Sequence, residues 1–255
     1  MLAAALFSCV PAQAAPDAAR TAQVIFLGER HDNPAHHEVQ ADWVRDLRPR
    51  ALVFEMLSPA QAVAAADVDR RDAPTLALAL DWDAGGWPDF AFYHPIFAAA
   101  PEALLVGAGI GRVALREMLD KDLGAIEGAE RFGLDRALAP QEQEAREALQ
   151  RAVHCDALPE DLLPRMVTAQ RLRDMALARA ALKAFDETGG PVVVITGNGH
   201  ARRDWGAPAL LLHAAPTLQI FALGQTEAGE LLPGRYDFIL DAPAVTRDDP
   251  CAELR

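Results

Sequence analysis

Short apolar runs, rich in β-branched residues and bounded by Gly or Pro, recur at 24–27, 52–54, 104–107, 192–196, 218–223 and 236–240. Runs of this length without polar alternation mark parallel strands covered on both faces. Between the first two the period lengthens. Ala35, Val39, Trp43, Val44 and Leu47 fall on one face of a helix that Asn33 can cap and Pro34 can open. Strand, helix and second strand make a βαβ unit. Helical patterns fill 59–101, around the Gly/Trp-rich turn DWDAGGWPDF, and 117–187, where Pro159 and Pro164 break the run. The expected fold class is α/β, a mostly parallel sheet flanked by helices, with helical insertions or a small helical subdomain in those two segments.

Length and charge narrow the reading. A chain of 255 residues can bury one large core, taken here as a single domain over 16–255. With 37 acidic against 24 basic residues the net charge is −13, which repels phosphate backbones, so nucleic acid is not an expected partner.

The opening MLAAALFSCVPAQAA carries a short apolar run and then Ala12-Gln13-Ala14, the small-x-small form of a signal-peptidase site. Residues 1–15 therefore read as the remnant of an export signal. The alternatives are a degenerate lipobox LFSC, which would make Cys9 a lipid anchor, and a plain Ala-rich end. No later run is apolar for long enough to span a bilayer. If Cys9 leaves with the signal, Cys155 and Cys251 remain as a pair able to oxidise outside the cytoplasm, although sequence alone does not bring them together.

Candidate chemistry follows from the strand exits. In an open parallel sheet the loops leaving the carboxyl ends of the strands share one rim, where ligands bind. The first strand exits into Gly28-Glu29-Arg30-His31, the second into Glu55-Met56, the third into Gly107-Ala108-Gly109 and the fourth into TGNGH, which ends at His200. Glu55 continues a buried run, so its carboxylate requires a partner. Downstream, Gln170 and Asp174, four apart, share a helix face, and Arg171 and Asp174, three apart, can pair. The segment holding Trp82, Trp87, Phe90, Phe92, Tyr93 and Phe97 is either a satellite core or the wall of a site for a flat apolar ligand, with Tyr93 or His94 as a metal-binding tip.

At FLGERHDNPAHHEVQ, LVFEM, the HC…LPE…M…AQR.RD.MA stretch and GNGHARRDWGAP, the sequence resembles the ChaN-like proteins, the haem-binding uptake family of the Tiki superfamily. The resemblance extends from about Thr21 to the terminal DPCAELR. It implies an α/β fold with a smaller helical part, a periplasmic or outer-membrane-associated location, and haem binding linked to iron uptake. It also implies association with the bacterial membrane or haem-uptake machinery, and a homodimer able to hold a cofacial haem pair with tyrosine as axial ligand. Through YHPIF the ligand role carries over to Tyr93, with His94, Trp87 and Arg171 as further haem-binding candidates. The wider superfamily includes erythromycin-esterase-like hydrolases and metal-dependent proteases. By that comparison Glu29, His31, Glu55, His154 and His200 form a hydrolytic site, with His31, His200 and Glu55 as ligands of a divalent metal. No Ser sits in a nucleophile-elbow setting, which disfavours a covalent serine mechanism. A haem-binding envelope protein and a hydrolase both stand at this point.

Overall fold

Six apolar runs become strands of one sheet; the inner strands are buried on both faces, whereas the two edge strands are partly exposed. The computed structural model describes residues 14–249 and 251–252. In it β1 (Val24–Glu29), β2 (Ala51–Phe54), β3 (Leu104–Gly107), β4 (Val192–Gly197), β5 (Ile220–Glu227) and β6 (Phe238–Ala242) form a sheet of order β3-β2-β4-β1-β5-β6. Every neighbouring pair is parallel. Side chains of alternate residues serve two cores. Ile25, Leu27, Leu52 and Phe54 pack with Trp43 of α2 (Pro34–Leu47) and Phe97 of α5 (Phe90–Ala99). On the other face Phe26, Val53 and Val194 pack with Leu172 and Met175 of α8 (Leu163–Thr188) and Leu211 of α10 (Ala207–Ala214).

The helices begin where the sequence has caps. Asn33 accepts a hydrogen bond from Ala35 N and Pro34 opens α2, as expected. The buried face of α2 also takes in His36, His37 and Gln40, polar groups that the apolar stripe does not reveal. Between β2 and β3 lie α3 (Pro59–Ala64), α4 (Ala73–Ala79) and α5; between β3 and β4 lie α6 (Arg112–Leu119), α7 (Pro140–Val153) and α8. A further single turn, α9 (Asn198–Ala201), follows β4 directly.

Strand ends depart from the apolar runs, and the departures matter for the site. β1 continues to Glu29 because Gly28 and Glu29 pair with Thr196 and Gly197 of β4. β5 runs on to Glu227 through the buried polar residues Gln225 and Thr226. Partners make this burial tolerable: Gln225 N donates to Asn198 Oδ1 at 2.9 Å, and Gln225 Nε2 donates to the Gly28 carbonyl at 2.8 Å.

Cys155 and Cys251 are joined in a disulfide. Cys9 and the expected peptidase site through Gln13 lie outside the described residues, and Ala15 is buried with its N–H on Asp46. Among the described residues no helix is long and apolar enough to cross a membrane.

Candidate functional site

The carboxyl ends of β2, β4 and β1 are adjacent in the sheet, so their exits meet. Glu29 is buried at the end of β1, with Oε1 accepting from the Tyr93 hydroxyl at 2.7 Å and from His31 Nδ1 at 2.7 Å. Its Oε2 stands 3.4 Å from His37 Nδ1. His37 Nε2 donates to the His31 carbonyl at 2.9 Å, which fixes the loop that carries His31. His31 Nε2 makes no hydrogen bond and lies over Gly197, where an added methyl would stand 3.0 Å from it. Burial alone would lower the His31 pKa, but the Glu29 hydrogen bond and the charges of Glu55 and Glu29 outweigh it and raise it.

Glu55 has the partner that its burial demands. Its Oε2 accepts from Thr196 Oγ1 at 2.6 Å and from Gly197 N at 2.8 Å, while Oε1 stands 3.5 Å from His200 Nε2. Burial would raise this carboxyl, yet His200, His31 and the two donors together hold it below its ordinary value. His200 Nδ1 bonds Asp174 Oδ1 of α8 at 2.6 Å. Burial opposes charge on His200 too, but the Glu55 and Asp174 carboxylates overcome it and hold the imidazole up at about 9. His200 is therefore an imidazolium at neutral pH, clamped between two carboxylates. Its chemistry is that of a fixed positive charge rather than a base.

Above this network lies a cleft in two connected halves of about 650 and 500 Å³, with Glu55, Trp87 and Arg173 lining both. The larger half adds Met56, Ile110 and Leu177; the smaller adds His31, Gln170 and His200. A volume of this order with one apolar wall and a few convergent polar groups suits an organic ligand.

The structure thus brings Glu29, His31, Glu55 and His200 to one place, and Gln170 and Asp174 with them. Four other expectations are corrected. His154 ends α7 with Nδ1 on the Gln150 carbonyl, beside the disulfide, and lines neither half of the cleft. His94 turns away to the Arg70 carbonyl. Arg171 is directed by helix phase to the carbonyls of Gly133, Leu134 and Arg136, and does not pair with Asp174. Tyr93 is fully buried and its hydroxyl donates to Glu29 rather than pointing into the cleft lining; burial and the Glu29 charge push the phenol far above its ordinary pKa. The aromatic segment divides accordingly. Trp82, Phe90, Tyr93 and Phe97 are core, whereas Trp87 faces the cleft 5.0 Å from the His31 ring.

The expected divalent-metal set of His31, His200 and Glu55 does not form a cluster. Among the described residues no three His, Cys, Asp or Glu side chains are disposed to hold a metal ion. The physical reason is that both His200 nitrogens face carboxylates and Glu55 Oε2 is held by two donors.

Sequence reasoning missed the residues that brace the His31 loop. Glu227 accepts from Asn33 Nδ2 at 2.7 Å and from Arg30 at 2.9 Å, and Arg247 bridges Glu227 and Asp32. The Arg247 hydrogen bond, with Asn33 and Arg30, holds the Glu227 carboxyl well below the usual carboxylate range. Its signal was present: GQTE directly continues an apolar strand.

Comparisons with known proteins place the chain in a family and show its fold. The family model described as haem-binding uptake, Tiki superfamily, ChaN matches residues 15–211. The fold is similar to ChaN of Campylobacter jejuni, solved with cofacial haem, at a TM-score of 0.66 and 19% identity, covering 86% of this chain and 87% of that one. The type III effector HopBA1 matches at a TM-score of 0.48 and 12% identity, covering 89% and 90% of the two chains. No curated protein matches. The chain belongs to the ChaN family of haem-binding uptake proteins within the Tiki superfamily.

Proposed function

We propose that the cleft binds haem, with His31 Nε2 as the iron ligand and Trp87, Met56, Ile110 and Leu177 against the macrocycle. One observation carries this reading. His31 Nδ1 is held by the buried Glu29 carboxylate while Nε2 is unbonded, and a carboxylate behind a ligating imidazole fixes its orientation and raises its basicity. Family membership and the haem carried by the C. jejuni relative support the choice of group. When bound, haem supplies a Lewis-acidic, redox-active iron. The protein orients the imidazole and covers the ring. His31 must lose its Nε2 proton to ligate, and because its pKa is raised, binding strengthens as pH increases through a range above that of a free imidazole.

The proposal includes export to the periplasm or outer membrane and a part in iron uptake, supported by the Cys155–Cys251 disulfide. A homodimer belongs to it too, as the arrangement for a cofacial haem pair.

The test is a haemin titration followed at the Soret band. Wild-type protein is expected to shift the band and His31→Ala to lose the shift, while Tyr93→Phe retains it. A shift that survives in His31→Ala but vanishes in Tyr93→Phe would restore the tyrosine as ligand. A second reading, hydrolysis with His31 as general base, draws on the same Glu29 contact. No Soret shift in wild type, together with His31-dependent cleavage of an activated ester, would favour it.

A further inference from the structure

We infer that Arg173 is the anion receptor of the cleft and takes a carboxylate carried on an apolar body. The inference rests on the haem reading only in naming that carboxylate as a haem propionate.

Arg173 lies on α8, half-buried, and lines both halves of the cleft. Among the described residues it makes no hydrogen bond and no ion pair. Other arginines buried as much or more are engaged: Arg146 with Glu142, Arg202 with Asp204, Arg70 with the Ala100 carbonyl, and Arg171 with three carbonyls. In a chain with net charge −13, a half-buried guanidinium without an acidic partner is a local feature, not a consequence of basic composition.

Glu55, the acid that lines both halves of the cleft with it, does not satisfy it. Glu55 Oε2 is held by Thr196 and Gly197, and Oε1 faces His200, whose proton Arg173 itself opposes. Two cations, Arg173 and the His200 imidazolium, therefore border the smaller half of the cleft. A guanidinium offers five N–H donors in a plane that matches a carboxylate bidentately, and partial desolvation makes leaving them unpaired costly. An arriving carboxylate removes that cost. Met56, Ile110 and Leu177 line the larger half together with Arg173, which favours an amphipathic carboxylate over a small inorganic anion.

The experiment compares haemin with its dimethyl ester, in which both propionates are neutral, on wild type, Arg173→Gln, Arg173→Lys and Arg179→Gln. Arg179 is the control: it lies on the same helix, exposed, and outside the cleft. Arg173→Gln is expected to weaken haemin roughly ten- to a hundredfold, the effect of losing a charge-assisted bidentate pair. Arg173→Lys should recover part of the affinity, Arg179→Gln should leave it unchanged, and the ester should bind all four alike.

Equal haemin affinity in wild type and Arg173→Gln overturns the receptor while leaving haem binding intact. Equal loss of haemin and ester overturns it as well, because the residue would then act only on structure. If wild type binds neither, the haem reading fails and the receptor is read separately. The Arg173 side-chain Nε–H resonance, identified by its disappearance in Arg173→Lys, is followed as octanoate is added: a saturable shift supports the receptor, and no shift overturns it.

Discussion

His200 shows how much a single residue's surroundings decide. An isolated imidazole is mostly neutral at pH 7.5, whereas this one is held protonated to about 9 by Glu55 and Asp174 despite its burial. Because the folded value exceeds the unfolded one, near 6.5, the stabilisation is fully present below that value and is lost as pH rises through about 9. The unfolding free energy of wild type should therefore fall across this window, by an amount on the order of 3 kcal/mol at most, and the melting temperature with it. His200→Gln should show a flatter profile. Thermal denaturation at a series of pH values checks this, and parallel slopes for the two proteins would refute the assignment. At this scale the convergence of Glu29, His31, Glu55 and His200 was legible, since each lies within a few residues of a strand exit. The ionisation of His200 was not, because it depends on Asp174, a residue in contact only after folding.

The strand exits act as elements, and their glycines show why. The small run Gly107-Ala108-Gly109 at the exit of β3 is constrained by the loop leaving β2. A methyl on Gly107 would stand 2.2 Å from the Ser58 carbonyl oxygen, and one on Gly109 would stand 2.7 Å from that of Glu55. These are backbone atoms that cannot swing aside. Gly197 differs, since its methyl would meet the His31 ring, which can move. Gly107→Ala is accordingly expected to cost about 3 kcal/mol or more in chemical denaturation. Gly197→Ala should stay close to wild type in stability and yet lose the haemin Soret shift by displacing His31. Helix phase is the second lesson at this scale. Arg171 and Arg173 are two residues apart on α8, so they project to well-separated faces, and the choice between them depends on how α8 rolls against the sheet.

Over the whole molecule the C-terminal segment acts as a strap. From β6 it passes the His31 loop, where the Pro243 carbonyl accepts from Asn33 and Arg247 bonds Asp32 and Glu227, and it ends at the disulfide to Cys155 beyond α7. Chain entropy assigns roughly 4–5 kcal/mol to closing so long a loop. The strap follows β6, the edge strand of the sheet, and adds no strand to it, so Cys251→Ser should lose less than that in global stability. The change should concentrate in faster hydrogen exchange over 243–252 and in the loop at 30–33. Unchanged exchange in both segments would show that the strap does not depend on the disulfide.

Two kinds of information meet in this protein. Sequence by itself determined the α/β class, the approximate strands and the meeting of four exits on one rim, because burial on both faces writes an unbroken apolar run and parallel strands share an end. Only the tertiary structure decided that Tyr93 is core, that His154, His94 and Arg171 face elsewhere, that Arg173 enters the cleft, and that Cys155 meets Cys251. Each of these depends on the rotation of a helix or on a contact between distant segments. Periodicity encodes whether a position is buried, but not which partner it will meet there.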